Sequence, residues 1–336
     1  MMKLAALVLL AVSAAFAQSS KYAGSFLEIP VGARAPGMGN AFVSVADDGT
    51  AFHYNPAGAS FTPSRVLSAM YSSQYGALFA PLSSFYFLGY SQKIQDLNVA
   101  VDWVRLSVDN IPSQPDLTVY DSPAQRELLV KTGSHNSYFT SSDDAFYLNI
   151  SKMYGLTIDM GWALLKLPVQ IPVGLNFKII RRSLNGREAS GVGLDGGFML
   201  RFPVGSFFGK ENSGTFSFGM SLRDITDTRI AWDTQTTEIV PRSSVWGMSY
   251  NVPLKPIDSE MLVAVNRDAA YGDILLGAEY VYRSILSLRI GEDASNIAAG
   301  AGIRLNFMRV DYAFLSQDLG NVNRVSASFY LDELFR

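Results

Sequence analysis

The sequence predicts an all-β fold: a transmembrane antiparallel β-barrel of about fourteen strands, with an N-terminal hatch segment inside its lumen. Three observations lead to this prediction. From about residue 65 onward, apolar side chains recur at every second position in short runs separated by turns. Charged residues lie in the middle of these runs, on the face opposite the apolar one. The residues before the first run are rich in glycine and alanine and do not alternate.

The extreme N terminus has the pattern of a secretory signal peptide. An apolar run from Leu4 to Ala14 follows a positive start, and Ala15-Phe16-Ala17 supplies small residues at a cleavage site. A buried helix is the alternative interpretation, and the run is too short to span a bilayer. We therefore expect cleavage after Ala17 and the following segments: signal peptide 1–17, hatch 18–63 and barrel 64–336.

Composition excludes several classes of protein. Charged residues make up 17% of the 336 residues, and no cysteine is present. After the signal, no apolar stretch approaches the roughly 18 residues that a membrane-spanning helix requires. A disulfide framework and a thiolate metal site are excluded by the missing cysteines. The net charge of −3 is too small to indicate nucleic-acid binding.

The alternating runs define the predicted strands. In Asn296 to Phe307, side chains such as Ile297 and Ile303 fall on one face and Arg304 on the other. An even number of strands suits a closed bacterial barrel, whose closure leaves no unpaired sheet edge in lipid. The fourteen predicted strands lie near 65–73, 83–92, 96–107, 144–165, 173–183, 191–204, 214–223, 244–252, 259–266, 273–282, 285–291, 296–306, 308–316 and 323–331.

The charges in the middle of the strands separate a barrel from a soluble sandwich. In a sandwich the apolar face packs inward and such charges meet bulk solvent, whereas in a membrane barrel they line the lumen. Aromatic residues near many strand ends favour the barrel. The lumen-facing charges predicted by parity are Lys178, Asp195, Arg201, Arg223, Glu279, Arg289, Arg304, Arg309, Asp311 and Arg324.

Connection lengths indicate which loops face outward, because the periplasmic turns of such barrels are usually short. The longest connection is 108–143, which contains several prolines, and 224–243 is the next long one on the same side. The region 153–172 stays ambiguous. It keeps one alternating phase across Gly155, so it is one long strand beyond the membrane or two strands with a bend.

The segment 18–63 is expected to plug the barrel, because the lumen of about fourteen strands is too wide for the wall side chains to fill. Glycines at 32, 37 and 39 permit tight turns. Asp47 or Asp48 is placed to cap a short helical turn that the Asn55-Pro56 step ends. The candidate hatch residues are Gly32, Arg34, Gly37, Met38, Gly39, Asp47, Asp48, Asn55, Pro56, Ala57 and Gly58.

The ordered set of motifs in this segment resembles the PorV/PorQ family of outer-membrane proteins. The set consists of Gly32-x-Arg34-x-x-Gly37-Met38-Gly39-x-Ala41-Phe42-Val43, Ala46-Asp47-Asp48 and Asn55-Pro56-Ala57-Gly58. The family is distantly similar to FadL-type transporters, which carry a related Asn-Pro-Ala motif in their hatch. The resemblance implies a fourteen-stranded barrel with a hatch. It also implies a component of the type IX secretion system that receives secreted cargo by its C-terminal domain.

Motifs that suggest chemistry have simpler explanations. Gly37-Met38-Gly39 lacks the strand and third glycine of a dinucleotide site. His53 and His135 are far apart and have no ligand cluster around them. Asp47-Asp48-Gly49 and Asp143-Asp144 lack the ligand spacing of a calcium loop. We expect no cofactor, no metal and no enzymatic activity.

Two functions are compatible with a plugged outer-membrane barrel. In the first, the outward loops 108–143 and 224–243 bind secreted cargo or a translocon protein. In the second, the hatch moves and a hydrophobic small molecule passes, as in FadL-type transporters; a structural barrel in outer-membrane lipid is a third possibility. Arg34, Asp47, Asp48 and Asn55 are expected to fix the hatch to the wall, by capping and by pairing with charges such as Arg304 or Glu279.

Overall fold

The chain forms a closed antiparallel β-barrel of fourteen wall strands, which confirms the predicted fold class. The computed structural model describes residues 23–63, 65–77, 80–113, 117–132, 137–159, 161, 166–208, 213–294, 296–316 and 320–334. The strands are β1 Arg65–Ala77, β2 Ala80–Ile94, β3 Leu97–Ser113, β4 Ser137–Asp159, β5 Lys166–Leu184, β6 Arg187–Pro203, β7 Thr215–Arg223, β8 Thr228–Trp232, β9 Thr237–Val240, β10 Ser243–Leu254, β11 Ser259–Asp268, β12 Ile274–Tyr282, β13 Leu286–Asp293, β14 Asn296–Arg304, β15 Met308–Leu315 and β16 Val322–Tyr330.

The barrel closes where β1 pairs with β16, from Val66 opposite Tyr330 to Ser73 opposite Asn323. Every other wall strand pairs with its neighbours along the chain, and β7 pairs with β10. Strands β8 and β9 form an extra hairpin that pairs with β6 at 189–192. Each wall strand thereby has a paired neighbour on both of its sides, and closure leaves no strand at a sheet edge, as a structure in lipid requires.

The outer face of the wall is apolar and the inner face is polar. Leu148, Ile290 and Ile297 are exposed on the outside, whereas Lys178 and Glu279 are buried on the inside. The alternation along each strand therefore places apolar side chains on the outer face and charged ones on the inner face. Among the described residues no helix has the length and hydropathy needed to cross a bilayer.

Residues 23–63 fold inside the barrel as short helical turns joined by irregular backbone. They begin at the end of the barrel that carries the loops after β3, β7 and β11, here the loop end, and lead into β1 at the opposite end, here the terminal end. The helical turns of the chain are Ser25–Glu28, Arg34–Gly37, Ala51–Tyr54, Pro56–Phe61, Leu117–Val119, Pro123–Lys131, Gly205–Phe208, Lys255–Ile257 and Leu331–Leu334.

The structure shortens the longest predicted loop. Strands β3 and β4 stay paired out to Ser113 opposite Ser137, so the connection is 114–136 and not 108–143. A register shift between Val108 and Ile111 lets pairing continue past Pro112, which the sequence suggested as loop.

The ambiguous region 153–172 is a hairpin. Strand β4 ends at Asp159 and β5 begins at Lys166, and these two residues are opposite each other. The alternating phase across Gly155 belongs to one strand, which ends at Asp159 and not at 165 as predicted. The wall count therefore stays at fourteen.

Candidate functional site: the hatch and the two lumenal cavities

A charged cluster joins the hatch to strand β12, and Arg34 is at its centre. The Nη2 atom of Arg34 lies 2.7 Å from Oε2 of Glu279, and its Nε atom donates to the same carboxylate. Its Nη1 atom donates to Asp47 and lies 3.4 Å from Asp48. The guanidinium carbon is also 5.1 Å from the centre of the Phe42 ring. One arginine thus holds two hatch carboxylates and one wall carboxylate together.

The cluster continues along the inner wall. Glu279 is 2.7 Å from Arg289 and 3.4 Å from Arg309. Asp311 is 2.9 Å from each of these arginines. Glu279, Arg289 and Asp311 are buried. Charges in a low-dielectric interior interact strongly when each has partners, so removal of one member leaves the others uncompensated.

Asp48 also organises the backbone that follows it. Its Oδ1 atom accepts from the N–H of Thr50 at 2.9 Å and from the Thr50 hydroxyl at 2.6 Å. The helical turn Ala51–Tyr54 begins directly afterwards, with Thr50 at its N-cap and no side-chain cap, so the predicted cap by Asp47 or Asp48 is wrong. The turn ends before Asn55, whose backbone is extended. Proline at 56 disfavours a helical conformation in the preceding residue, which explains this end.

Neutral amide groups attach the other side of the hatch to strands β4, β5 and β6. Asn55 Nδ2 donates to the carbonyls of Val43 and Phe198, at 2.9 and 3.2 Å. From the wall, Asn149 Nδ2 donates to the carbonyl of Pro56 at 3.2 Å, and Asn176 Nδ2 donates to that of Phe52 at 2.7 Å. These wall amides satisfy carbonyls that the short helical turns leave free.

Glycines let the hatch backbone touch the wall. Gly39 has a φ of 58°, and a Cβ at this position would lie 2.5 Å from the backbone nitrogen of Glu292. On the amide side, a Cβ at Gly197 of strand β6 would lie 2.1 Å from Oδ1 of Asn55. Both positions therefore exclude any side chain while the hatch is seated.

All eleven candidate hatch residues lie in the described part of the chain. Arg34, Asp47 and Asp48 belong to the charged cluster, and the segment 55–58 packs against β4 to β6. Gly37, Met38 and Gly39 lie against β12 to β14, and Gly32 donates from its N–H to the sulfur of Met70 at 3.0 Å.

The predicted lumen charges fall into separate groups. Lys178 lies 2.8 Å from Asp195 and 2.7 Å from Asp224. Arg324 donates to the carbonyl of Pro30 in the hatch. Arg304 does not pair with the hatch carboxylates among the described contacts, and lies 4.8 Å from the ring centre of Tyr330 instead. The remaining positions are Glu279, Arg289, Arg309 and Asp311 in the charged cluster, Arg201 on the wall of the terminal-end cavity and Arg223 on the wall of the loop-end cavity.

Sequence reasoning missed the wall amides Asn149 and Asn176. Both are completely buried on the inner face, in the middle of strands. A neutral amide at a lumen position indicates a contact with the hatch as a charge does, because a buried amide requires a hydrogen-bond partner. An amide side chain carries no charge, so the pattern of alternating charges does not mark these two residues.

Two cavities flank the hatch. The terminal-end cavity has a volume of about 490 Å³ and is lined by Arg34, Arg201 and Tyr330 among others. The loop-end cavity has a volume of about 400 Å³ and is lined by apolar residues such as Leu27 and Leu315 together with charged ones. Hatch residues line both cavities and lie between them.

His53 lines the loop-end cavity. Its ring packs edge-on against the rings of Tyr54 and Phe52, with centres 4.8 and 6.2 Å apart. Burial lowers the pKa of His53 well below its usual range, and the nearby cations Arg223, Arg324 and Lys178 lower it further. His135 lies outside the described residues. Within the described ranges, no group of three or more His, Asp or Glu side chains is arranged to hold a metal ion.

Comparison with known proteins gives matches among solved structures alone. No family model and no curated protein matches the chain. The toluene transporter TbuX of Ralstonia pickettii has a TM-score of 0.45 and 10% identity, over 89% of this chain and 96% of that one. A Pseudomonas aeruginosa FadL homologue has a TM-score of 0.44 and 9% identity, over 90% and 99%. CdiB of Acinetobacter baumannii has a TM-score of 0.37 and 12% identity, over 79% and 59%.

Proposed function

We propose that this protein is a non-enzymatic outer-membrane transporter that passes a small hydrophobic molecule through its barrel, with the hatch as the gate. The observation that carries the proposal is the position of the two cavities, one toward each end of the barrel, with the hatch between them. A molecule that occupies one cavity reaches the other only if the hatch moves. The FadL-like Asn55-Pro56-Ala57 motif of the hatch supports the same function.

The bacterial outer membrane is the location that fits this architecture, and the proposed signal peptide at 1–17 provides export. The apolar outer face of the wall contacts outer-membrane lipid. We place the terminal end in the periplasm, because bacterial barrels with an even strand number have both chain ends there. The loop-end cavity then faces the outside of the cell and receives the ligand first.

The loop-end cavity has the chemistry for an apolar molecule with a polar group. Leu27, Val240 and Leu315 supply apolar surface, and Arg223 and His53 supply polar surface. Ligand pockets are commonly built in this way, with apolar walls and a small number of polar groups that set orientation. A wholly apolar molecule would contact only the apolar residues of this cavity, Leu27, Val240 and Leu315 among them.

Locking the hatch tests the proposal. The N–H of Ala33 in the hatch donates to the Ser326 hydroxyl of β16 at 3.1 Å, so these two positions are adjacent. The chain has no cysteine, and the pair Ala33→Cys and Ser326→Cys therefore gives one defined disulfide. We expect uptake of radiolabelled naphthalene by cells to fall to the level of cells without the gene when the pair is oxidised, and to return on reduction.

The two single cysteine variants are the controls, and they should transport in both redox conditions. Equal uptake by the oxidised and reduced double variant, with the disulfide verified by mass spectrometry, contradicts a moving hatch. Uptake equal to that of cells without the gene in every variant and in the native protein contradicts the transport function itself.

A second candidate function is partner binding through the loop after β3, as in the type IX secretion components that the hatch motifs resemble. The helix Pro123–Lys131 in this loop exposes Leu128 and Val130, with 61% and 60% of their surface open. Exposed apolar side chains on a loop helix are typical of a binding surface. Membership of the PorV/PorQ family, and secreted cargo or a translocon as partner, belong to this second proposal.

The second candidate is tested by replacing Leu128 and Val130 with serine and recovering partners from solubilised outer membranes. Loss of a cargo domain or translocon protein that the native chain recovers supports partner binding. The control replaces Ile225, an exposed apolar residue of the loop after β7, with serine. Equal recovery by all three chains contradicts this use of the helix.

A further inference from the structure

The hairpin of β4 and β5 extends beyond its neighbours at the terminal end. Strand β3 pairs with β4 only as far as Leu97 opposite Lys152, whereas β4 and β5 stay paired to Asp159 opposite Lys166. Residues 153–159 therefore have one side without a strand partner. Among the described residues no backbone hydrogen bond reaches this side of β4.

The two edges of the hairpin differ. The edge formed by β5 contains Pro168 and Pro172, which have no N–H to donate. The edge formed by β4, from Met153 to Ile158, contains no proline and no charge. Natural sheets protect exposed edges with proline and charged residues, because an unprotected edge pairs with other chains. Protection is present on the β5 edge and missing on the β4 edge.

One face of the β4 edge is apolar and open. Tyr154, Leu156 and Ile158 alternate along it, and 52%, 43% and 41% of their surface is exposed. Their neighbours across the hairpin, Leu167 and Val169, are buried. The apolar face is thus covered on the β5 side and uncovered on the β4 side.

We propose that the β4 edge at 153–159 binds an extended segment of a periplasmic polypeptide, which adds to the hairpin as an antiparallel strand. The backbone edge provides hydrogen bonds, and Tyr154, Leu156 and Ile158 select a segment with apolar residues at alternate positions. Lys152 at one end and Asp159 at the other favour an acidic and a basic residue opposite them. The location rests on the proposed orientation, with the terminal end in the periplasm.

Other occupants fit the edge less well. Lipid cannot form hydrogen bonds with the free backbone groups, so insertion of this edge into the membrane is unfavourable. The first described residue, Ala23, lines the loop-end cavity at the opposite end of the barrel, so the segment that precedes it starts far from this edge. Two copies in one membrane point their hairpins in the same direction, and an antiparallel pair of these edges cannot form between them.

Site-specific photocrosslinking in intact cells tests the proposal. A photoreactive residue replaces Thr157 on the β4 edge, and in a matched strain it replaces Lys166 of β5, which is exposed and lies outside the pairing with β6. Irradiation should join Thr157 to an alternating segment of one periplasmic protein, located by mass spectrometry of the adduct, and give no such adduct from Lys166. A second change, Gly155→Lys, should abolish the adduct, because lysine is a natural edge blocker.

Gly155→Ala is the control for this change. A Cβ at Gly155 meets no atom within 4 Å, so both variants should assemble, and the alanine variant should keep the adduct. No adduct from Thr157, equal adducts from both edges, an adduct with a second copy of the chain, or an adduct that survives Gly155→Lys overturns the proposal. Naphthalene uptake in the same strains reports separately on transport, and we expect Gly155→Lys to leave it unchanged.

Discussion

The hatch is held on two sides by different chemistry. Toward β12 to β15 it is attached by ion pairs centred on Arg34 and Glu279. Toward β4 to β6 it is attached by amide hydrogen bonds of Asn55, Asn149 and Asn176. When an ion pair of the charged side separates, water can hydrate both charges. Each hydrogen bond of a side-chain amide instead requires that the hatch backbone lie close to the wall. The comparison indicates that the charged side is the stronger and more condition-dependent attachment.

Removal of the shared wall carboxylate should have the largest effect. Glu279→Ala leaves Arg34, Arg289 and Arg309 without their common partner, and breaking a buried ion pair in this way costs about 3–5 kcal/mol. We expect the free energy of unfolding, measured by denaturant titration in lipid vesicles, to fall by this amount. Glu260→Ala, in the same cavity but exposed, is the control and should change it little. A smaller loss for Glu279→Ala than for an amide-side change would reverse the ranking of the two sides.

Breaking the amide side should have an intermediate effect. Asn55 is fully buried, and Asn55→Ala removes its bonds to Val43 and Phe198. Unsatisfied carbonyls of this kind cost about 1–3 kcal/mol. The same titration measures the loss, with Asn306→Ala, at an exposed turn, as control. Because the amide bonds are uncharged, the loss should not depend on salt, and a strong salt dependence would remove the distinction between the two sides.

The sequence predicted the wall better than the attachment of the hatch. Alternation fixes which side chains of β14, such as Ile297 and Ile303, face lipid, because parity in a strand is a local property. The pairing of Arg34 with Glu279 is different, since 245 positions separate the two residues. By parity both Arg304 and Glu279 face the lumen, so pairing of Arg304 with the hatch carboxylates Asp47 and Asp48 was as acceptable as pairing of Glu279 with Arg34. Only the packed hatch decides between them.

The local sequence was also insufficient to predict where strands end. Pro112 indicates a loop, yet β3 continues beyond it because a register shift restores pairing with β4. Asn149 is uncharged, so the pattern of lumen charges does not reveal it. In both cases the deciding interaction is with a neighbouring strand or with the hatch, and this information is not present in the local sequence.

The proposed movement of the hatch should depend on pH, and this dependence tests a third place, the loop-end side of the hatch. The pKa of His53 is lowered by burial and by nearby cations while the hatch is seated, and it returns to about 6.5 when the hatch is released. The released state therefore binds more protons. The equilibrium constant for seating of the hatch should therefore fall as the pH falls below about 6.5, by at most about tenfold for each pH unit.

Uptake of naphthalene at about pH 7.5 and about pH 5.5 measures this effect, with His53→Asn as the comparison, since asparagine does not titrate in this range. The native chain should transport more at the lower pH, and the variant should show a flatter profile. An identical pH profile for both chains assigns any pH response to other groups.

The smallest change in the free energy of unfolding is expected for an arginine–carboxylate pair that is exposed to solvent. Arg65 at the start of β1 pairs with Asp332 after β16, and 46% of the arginine side chain is open to solvent. Exposed pairs contribute about 0–1 kcal/mol, because water screens the charges and two long side chains lose freedom. Arg65→Ala should therefore lower the free energy of unfolding far less than Glu279→Ala. A loss of equal size would mean that burial does not set the strength of the charged attachment, and the ranking of the two sides of the hatch would then need another physical cause.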